Sequence, residues 1–108
     1  MVISSQEEDG TVLYRKLEWP TEWAITVCTP DFELSTDIAR SVLPKEVPMK
    51  DAIFNAQRLA MFVQAVHTKD AELMKLALHD RLHQPYRMKL MQGLDKIIEN
   101  LRHIENVL

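Results

Sequence analysis

The sequence predicts an α+β chain that is rich in helix, with two short strands at 11–17 and 23–29 followed by four helices. Three observations carry that prediction. The near-continuous apolar run from Trp23 to Thr29 (WAITVCT) has the β-branched and aromatic content of a buried strand. Residues 51–67 place Ala52, Ala56, Leu59, Ala60, Val63 and Val66 three or four apart or at multiples of a turn, which is one apolar face of a helix. The chain's 108 residues, 46% hydrophobic and 27% charged, are ordinary for one globular domain able to bury a modest core.

Each element has a local reason. Residues 1–10 (MVISSQEEDG) carry three acids and no base, and read as a polar tail or linker closed by Gly10, leaving 11–108 as the folded part. Thr11 to Leu17 (TVLYRKL) suits a short strand. Trp19-Pro20-Thr21 is a turn, because proline lacks a ladder donor and biases the residue before it toward extended backbone. Strand 23–29 ends at Pro30 and Asp31.

Ser35-Thr36-Asp37 offers capping oxygens ahead of a short helix over 38–43, which Pro44 stops. The long helix runs from Asp51 to His67, and Lys69-Asp70 breaks it. A third helix covers 71–82, with Leu73, Met74, Leu76, Ala77 and Leu78 as its apolar stripe, and ends at Gln84-Pro85. Gly93 opens a last helix to Leu108, with Leu94, Ile97, Ile98, Leu101 and Ile104 on one face. A strand as apolar as 23–29 wants neighbours on both edges, and the sequence offers at most one. It therefore reads as a piece of something longer.

Composition excludes several function classes. Thirteen basic against sixteen acidic residues give a net charge of −3, which argues against a nucleic-acid binder. Cys28 is the single cysteine, so no intramolecular disulfide can form, and inside an apolar strand it reads as a small buried hydrophobe. The two glycines, Gly10 and Gly93, lie too far apart to build a phosphate loop. There is no basic, apolar leader and no membrane-length apolar run, which leads to the expectation of a cytoplasmic protein away from membranes.

Among chemistry-bearing residues, His79 and His83 in HDRLH have the i, i+4 spacing of a zinc-binding helix. A third ligand is missing, and Asp80 is shorter than the glutamate such a helix uses as its base. Trp19 and Trp23 bracket the proline turn and are expected to pack rather than to stack on a base. Arg40 and Arg87 lie near helix stops, where arginine often satisfies terminal carbonyls or stays solvated. Arginine is also the preferred partner of a carboxylate, through two parallel hydrogen bonds.

Three stretches in order, Leu34-Ser35-Thr36 with Ala39-Arg40 and Leu43-Pro44, Asp51-Ala52 with Asn55, and Asp80 to Arg87 (DRLHQPYR), resemble the homoserine kinase family of GHMP small-molecule kinases. The resemblance runs from about Tyr14 to Ile98. It implies an incomplete ferredoxin-like C-terminal domain, and transfer of the ATP γ-phosphoryl group to the side-chain hydroxyl of L-homoserine in threonine biosynthesis. It also implies that Arg40 and Arg87 bind the substrate carboxylate, with Asp80 and His83 either supporting the turn that carries Arg87 or simply capping a helix. Met91-Gln92 departs from the family's usual Ile-Pro pair. ATP and Mg2+ are implied for the complete enzyme. The Gly-rich phosphate loop has no counterpart here, so the remaining ATP-binding part of the kinase is expected as a partner and the isolated chain is expected to be inactive. The alternative is a non-catalytic helical module that forms a homodimer.

Overall fold

The strand expected at 11–17 forms, but its partner lies earlier in the chain than the sequence places it. In the computed structural model, which describes every residue except 30, 92, 102, 105, 106 and 108, strand β1 (Val2–Gln6) pairs antiparallel with β2 (Val12–Lys16). The register runs from Val2 opposite Lys16 to Gln6 opposite Val12. Segment 1–10 is thus a strand and a turn rather than a tail. Its three acids, Glu7, Glu8 and Asp9, all fall in the turn, where Asp9 Oδ1 accepts from the Thr11 N–H at 2.8 Å. The turn is closed by Glu7 N–H to Thr11 C=O at 2.8 Å, and by Gly10 at a φ of +87° that a side chain would strain. Every residue of both strands is exposed.

The second predicted strand does not form. Residues 23–29 follow irregular backbone, with Ile25 69% and Val27 80% exposed, and Cys28 is exposed rather than buried. Apolar character is not sufficient for a strand, because its N–H and C=O groups need a ladder partner. Here β1 and β2 pair with each other alone, and among the described residues no strand offers 23–29 a ladder.

The helices follow local chemistry more closely. Helix α1 (Thr36–Ser41) is capped by Ser35, whose Oγ accepts from the Ile38 N–H at 3.2 Å. Helix α2 (Met49–Thr68) ends where Lys69 turns left-handed, and α3 (Ala71–Ala77) begins at once, with Asp70 Oδ1 accepting from the Leu73 N–H at 2.9 Å. So short a connection forces α2 and α3 to pack antiparallel. The third helix stops at Ala77, short of the expected Leu82. Gln84-Pro85 opens a further short helix instead of ending one: α4 (Gln84–Arg87) carries proline in its first turn, the position where the missing N–H costs nothing. A 3-10 turn, Met88–Leu90, follows. Helix α5 (Leu94–Leu101) stops short of the expected terminus, and Ile104 lies outside it. The expectations that fell on Pro30, Gln92 and Leu108 lie outside the described residues.

The core sits between α2 and α3. Ala65, Val66 and Met74 are buried, with Phe62, Leu73, Trp19, Trp23 and Met1 packed against them, and Ala77 lies buried on α3. The two tryptophans meet edge to face at 5.8 Å, and Trp19 Nε1 donates to the Trp23 carbonyl at 2.9 Å, so both pack as expected. An exposed ion pair of Lys69 with Glu22, 2.7 Å, ties the tryptophan turn to the end of α2. Much apolar surface stays uncovered, including Leu59 on the expected inner face of α2 at 63%. The chain exposes 9261 Å², against about 6,200 Å² for a folded monomer of its mass. Among the described residues no helix is long and apolar enough to cross a membrane.

Candidate functional site

The most highly organised polar cluster is built where residues 80–84 meet one face of α2. Asp51, Phe54, Asn55 and Arg58 are spaced by three and four, so they line a single stripe of that helix. The Asn55 side chain faces the incoming chain with both its groups. Its Oδ1 accepts from the Arg81 N–H at 2.9 Å, and its Nδ2 donates to Asp80 Oδ1. The Arg81 guanidinium lies 3.8 Å from the Phe54 ring centre and reaches Asp51 at 3.2 Å, while Arg58 approaches the same ring at 4.5 Å.

Asp80 then organises the turn. Its Oδ1 also accepts from the Leu82 N–H at 2.9 Å, and Oδ2 accepts from His83 and Gln84 N–H at 2.7 and 2.5 Å. One carboxylate thus satisfies three backbone donors leading into the first residue of α4, a capping geometry that explains why α3 does not continue through this segment. Burial raises the Asp80 pKa, but the donations from Gln84, Asn55, Leu82 and His83 outweigh it and hold the carboxyl well below the usual carboxylate range. The group is a fixed negative charge at neutral pH, serving the backbone rather than a proton transfer.

His83 contributes mainly through its backbone. Its carbonyl accepts from Tyr86 and Arg87 N–H at 3.2 and 3.0 Å, which hangs the first turn of α4 on it. Its ring is largely exposed, with Nδ1 3.8 Å from Asp80 Oδ1. His79 belongs to no helix, and its Nδ1 lies 3.2 Å from the Leu76 carbonyl. The helical spacing on which a His79–His83 metal pair depends is therefore not formed. No group of three metal-ligating side chains occurs among the described residues.

Arg87 ends α4 half-buried, and its Nε is buried with no acceptor among the described residues. Arg40 occupies the last turn of α1, exposed. The structure joins Asp80, His83 and Arg87 in one hydrogen-bonded run. Among the described residues no hydrogen bond or ion pair links Arg40 to it. Asn55, Asp51 and Phe54 hold that run in place, yet the sequence singles out only the motif containing Asp51 and Asn55 and gives it no task. One signal was legible: asparagine is a poor residue for the middle of a helix unless its side chain is used elsewhere.

No protein-family model matches the chain. It is 49% identical to homoserine kinase from Aquifex aeolicus over 96 residues, covering 89% of this chain and 32% of that protein. The homoserine kinase of Persephonella marina is 39% identical over 98 residues, covering 91% and 33%. The crystal structure of homoserine kinase from Cytophaga hutchinsonii superposes with a TM-score of 0.63 at 26% identity, over 65% of this chain and 22% of that one. The chain spans about a third of the length of the curated relatives it matches. Over the segment it spans, this α+β chain belongs to the homoserine kinase family.

Proposed function

We propose that this chain is the part of a homoserine kinase that holds the amino-acid substrate, with residues 11–108 in the substrate-side domain. The Arg87 Nε–H, buried without an acceptor among the described residues, carries the reading. A buried donor without an acceptor costs about 1–3 kcal/mol, and more when the group is charged. A carboxylate removes that cost best, because it can take two parallel hydrogen bonds from one guanidinium. In this reading Arg87 and Arg40 grip the α-carboxylate of L-homoserine, and Asp80 and His83 support the turn beneath Arg87. The grip orients the side-chain hydroxyl toward the γ-phosphoryl group of ATP. Phosphoryl transfer asks a protein chiefly for such positioning and for charge stabilisation. The reaction would be a step of threonine biosynthesis in the cytoplasm.

The residues present do not fit ATP or Mg2+. Gly10 closes the hairpin turn and Gly93 precedes α5, and neither stands in a series of close glycines able to cradle phosphates. Nucleotide and metal are therefore assigned to the other two thirds of the relatives' length. The roughly 3,000 Å² of surface exposed beyond what a folded monomer of this mass shows fits docking with that ATP-binding part. The same excess favours a second reading, a homodimer that covers these faces without catalysis.

Co-expression with the complementary two thirds of the Aquifex aeolicus enzyme separates the two. ATP-dependent phosphorylation of L-homoserine by the reassembled pair supports the kinase reading. A concentration-dependent homodimer that excludes the complement supports the second. In the active pair, Arg87→Ala raises the KM for homoserine at least tenfold and leaves that for ATP unchanged. An unaltered homoserine KM would overturn the Arg87 assignment.

A further inference from the structure

Arg87 is placed by a relay of hydrogen bonds that begins on another helix. Its N–H is held by the His83 carbonyl, the His83 N–H by Asp80 Oδ2, and Asp80 Oδ1 by the Asn55 amide. The same amide fixes the Arg81 backbone from its other end, at 2.9 Å. Asparagine is the one common side chain of this size that can donate to a carboxylate while accepting from a backbone N–H. Aspartate lacks the donor, and serine and alanine lack the reach.

We propose that Asn55 is a positioning residue, fixing from α2 the turn whose geometry sets where the Arg87 guanidinium meets a carboxylate ligand. The proposal rests on the reading of Arg87 given above. Asn55 touches no substrate in it and acts only through Asp80 and Arg81. The further ties to α2, Arg81 to Asp51 and Arg81 over Phe54, are half-exposed and leave the turn tethered without orienting the Asp80 carboxylate.

The test uses the 108-residue chain, with amide exchange at residues 82–84 and the Arg87 Nε–H resonance followed by NMR. Asn55→Asp sets two carboxylates against each other, and exchange at Leu82, His83 and Gln84 should rise at least tenfold. Asn55→Asp combined with Asp80→Asn exchanges donor for acceptor. Protection should return at His83 and Gln84 but not at Leu82, whose N–H would then face an NH2 group. Titration with L-homoserine should move the Arg87 Nε–H resonance in the unaltered chain, need at least tenfold more ligand in Asn55→Asp, and recover in the double variant.

Equal ligand requirement in the unaltered chain and in Asn55→Asp would overturn the proposal, as would unchanged protection at 82–84. No response of Arg87 in the unaltered chain would instead overturn the Arg87 reading, while the exchange pattern still judges the relay. Asn55→Ser removes the amide without adding charge and serves as the second variant. If both single variants lose the α2 helical signal, Asn55 supports the helix rather than the turn, and the proposal fails.

Discussion

Segment 23–29 is more apolar in sequence than the α2–α3 hairpin, yet the hairpin forms the core and residues 24–29 lie open to solvent. Helices α2 and α3 are neighbours in the chain, their backbone groups are satisfied internally, and the left-handed Lys69 followed by the Asp70 cap turns one back on the other. Burial of Val66 and Met74 then draws from outside the hairpin only on the tryptophan turn and Met1. Residues 23–29 have the opposite requirement. To form a strand they need a ladder partner, and in the described sheet β1 and β2 pair only with each other. What the hairpin needs lies beside it in the chain, whereas the ladder partner that 23–29 needs is not found among the described residues.

The contrast predicts a graded response to substitution. Met74→Ala, at a side chain only 2% exposed, should cost about 3 kcal/mol, read as a lower denaturation midpoint. A loss under 1 kcal/mol would mean that the hairpin core closes over the gap and is less specific than described. Asp80→Asn is expected to cost about 2 kcal/mol at neutral pH, because charge-assisted donations from three backbone groups weaken. Its sign with pH is fixed. A carboxyl held below its ordinary value of 3.8 contributes fully above that pH and progressively less as pH falls below it. Unfolding at a series of pH values should therefore show the unaltered chain losing stability below about pH 4 more steeply than the variant. Parallel acid limbs would remove Asp80 as their cause. Smallest of all, Val27→Ser at an 80% exposed position should stay within about 0.5 kcal/mol of neutral. A larger loss would show that 23–29 is covered in solution, and would point to self-association.

Where an element depends on a short stretch of sequence, the reading from sequence was close. The Ser35 cap, the Lys69-Asp70 break and the span of α2 needed only capping chemistry and an apolar period. Where a polar side chain competes for the backbone, periodicity misled. The apolar stripe of 71–82 continues past Ala77, but the Asp80 carboxylate captures the amides of 82–84 and ends the helical pattern. The acidic stretch 7–9 hid a hairpin turn for a similar reason, since charge marks exposure and not the lack of structure. At the candidate site, Asp80, His83 and Arg87 were legible as one contiguous motif, but their dependence on Asn55 was not. A contact between α2 and a turn 25 residues later leaves no local trace beyond a helix-disfavoured asparagine.

By itself, then, the sequence determined the α+β class, the starts of α1, α2, α3 and α5 to within two residues, the lack of a phosphate loop and the resemblance to homoserine kinases, because each follows from nearby residues or from ordered motifs. Tertiary structure alone decided that 2–6 pairs with 12–16, that 23–29 finds no strand partner among the described residues, and that Asn55 meets Asp80 beneath the turn leading to Arg87. Those outcomes turn on which hydrogen-bonding groups find partners across distance in the chain. Backbone and buried polar groups are satisfied by whatever is spatially adjacent, and adjacency of that kind is a property of the folded molecule.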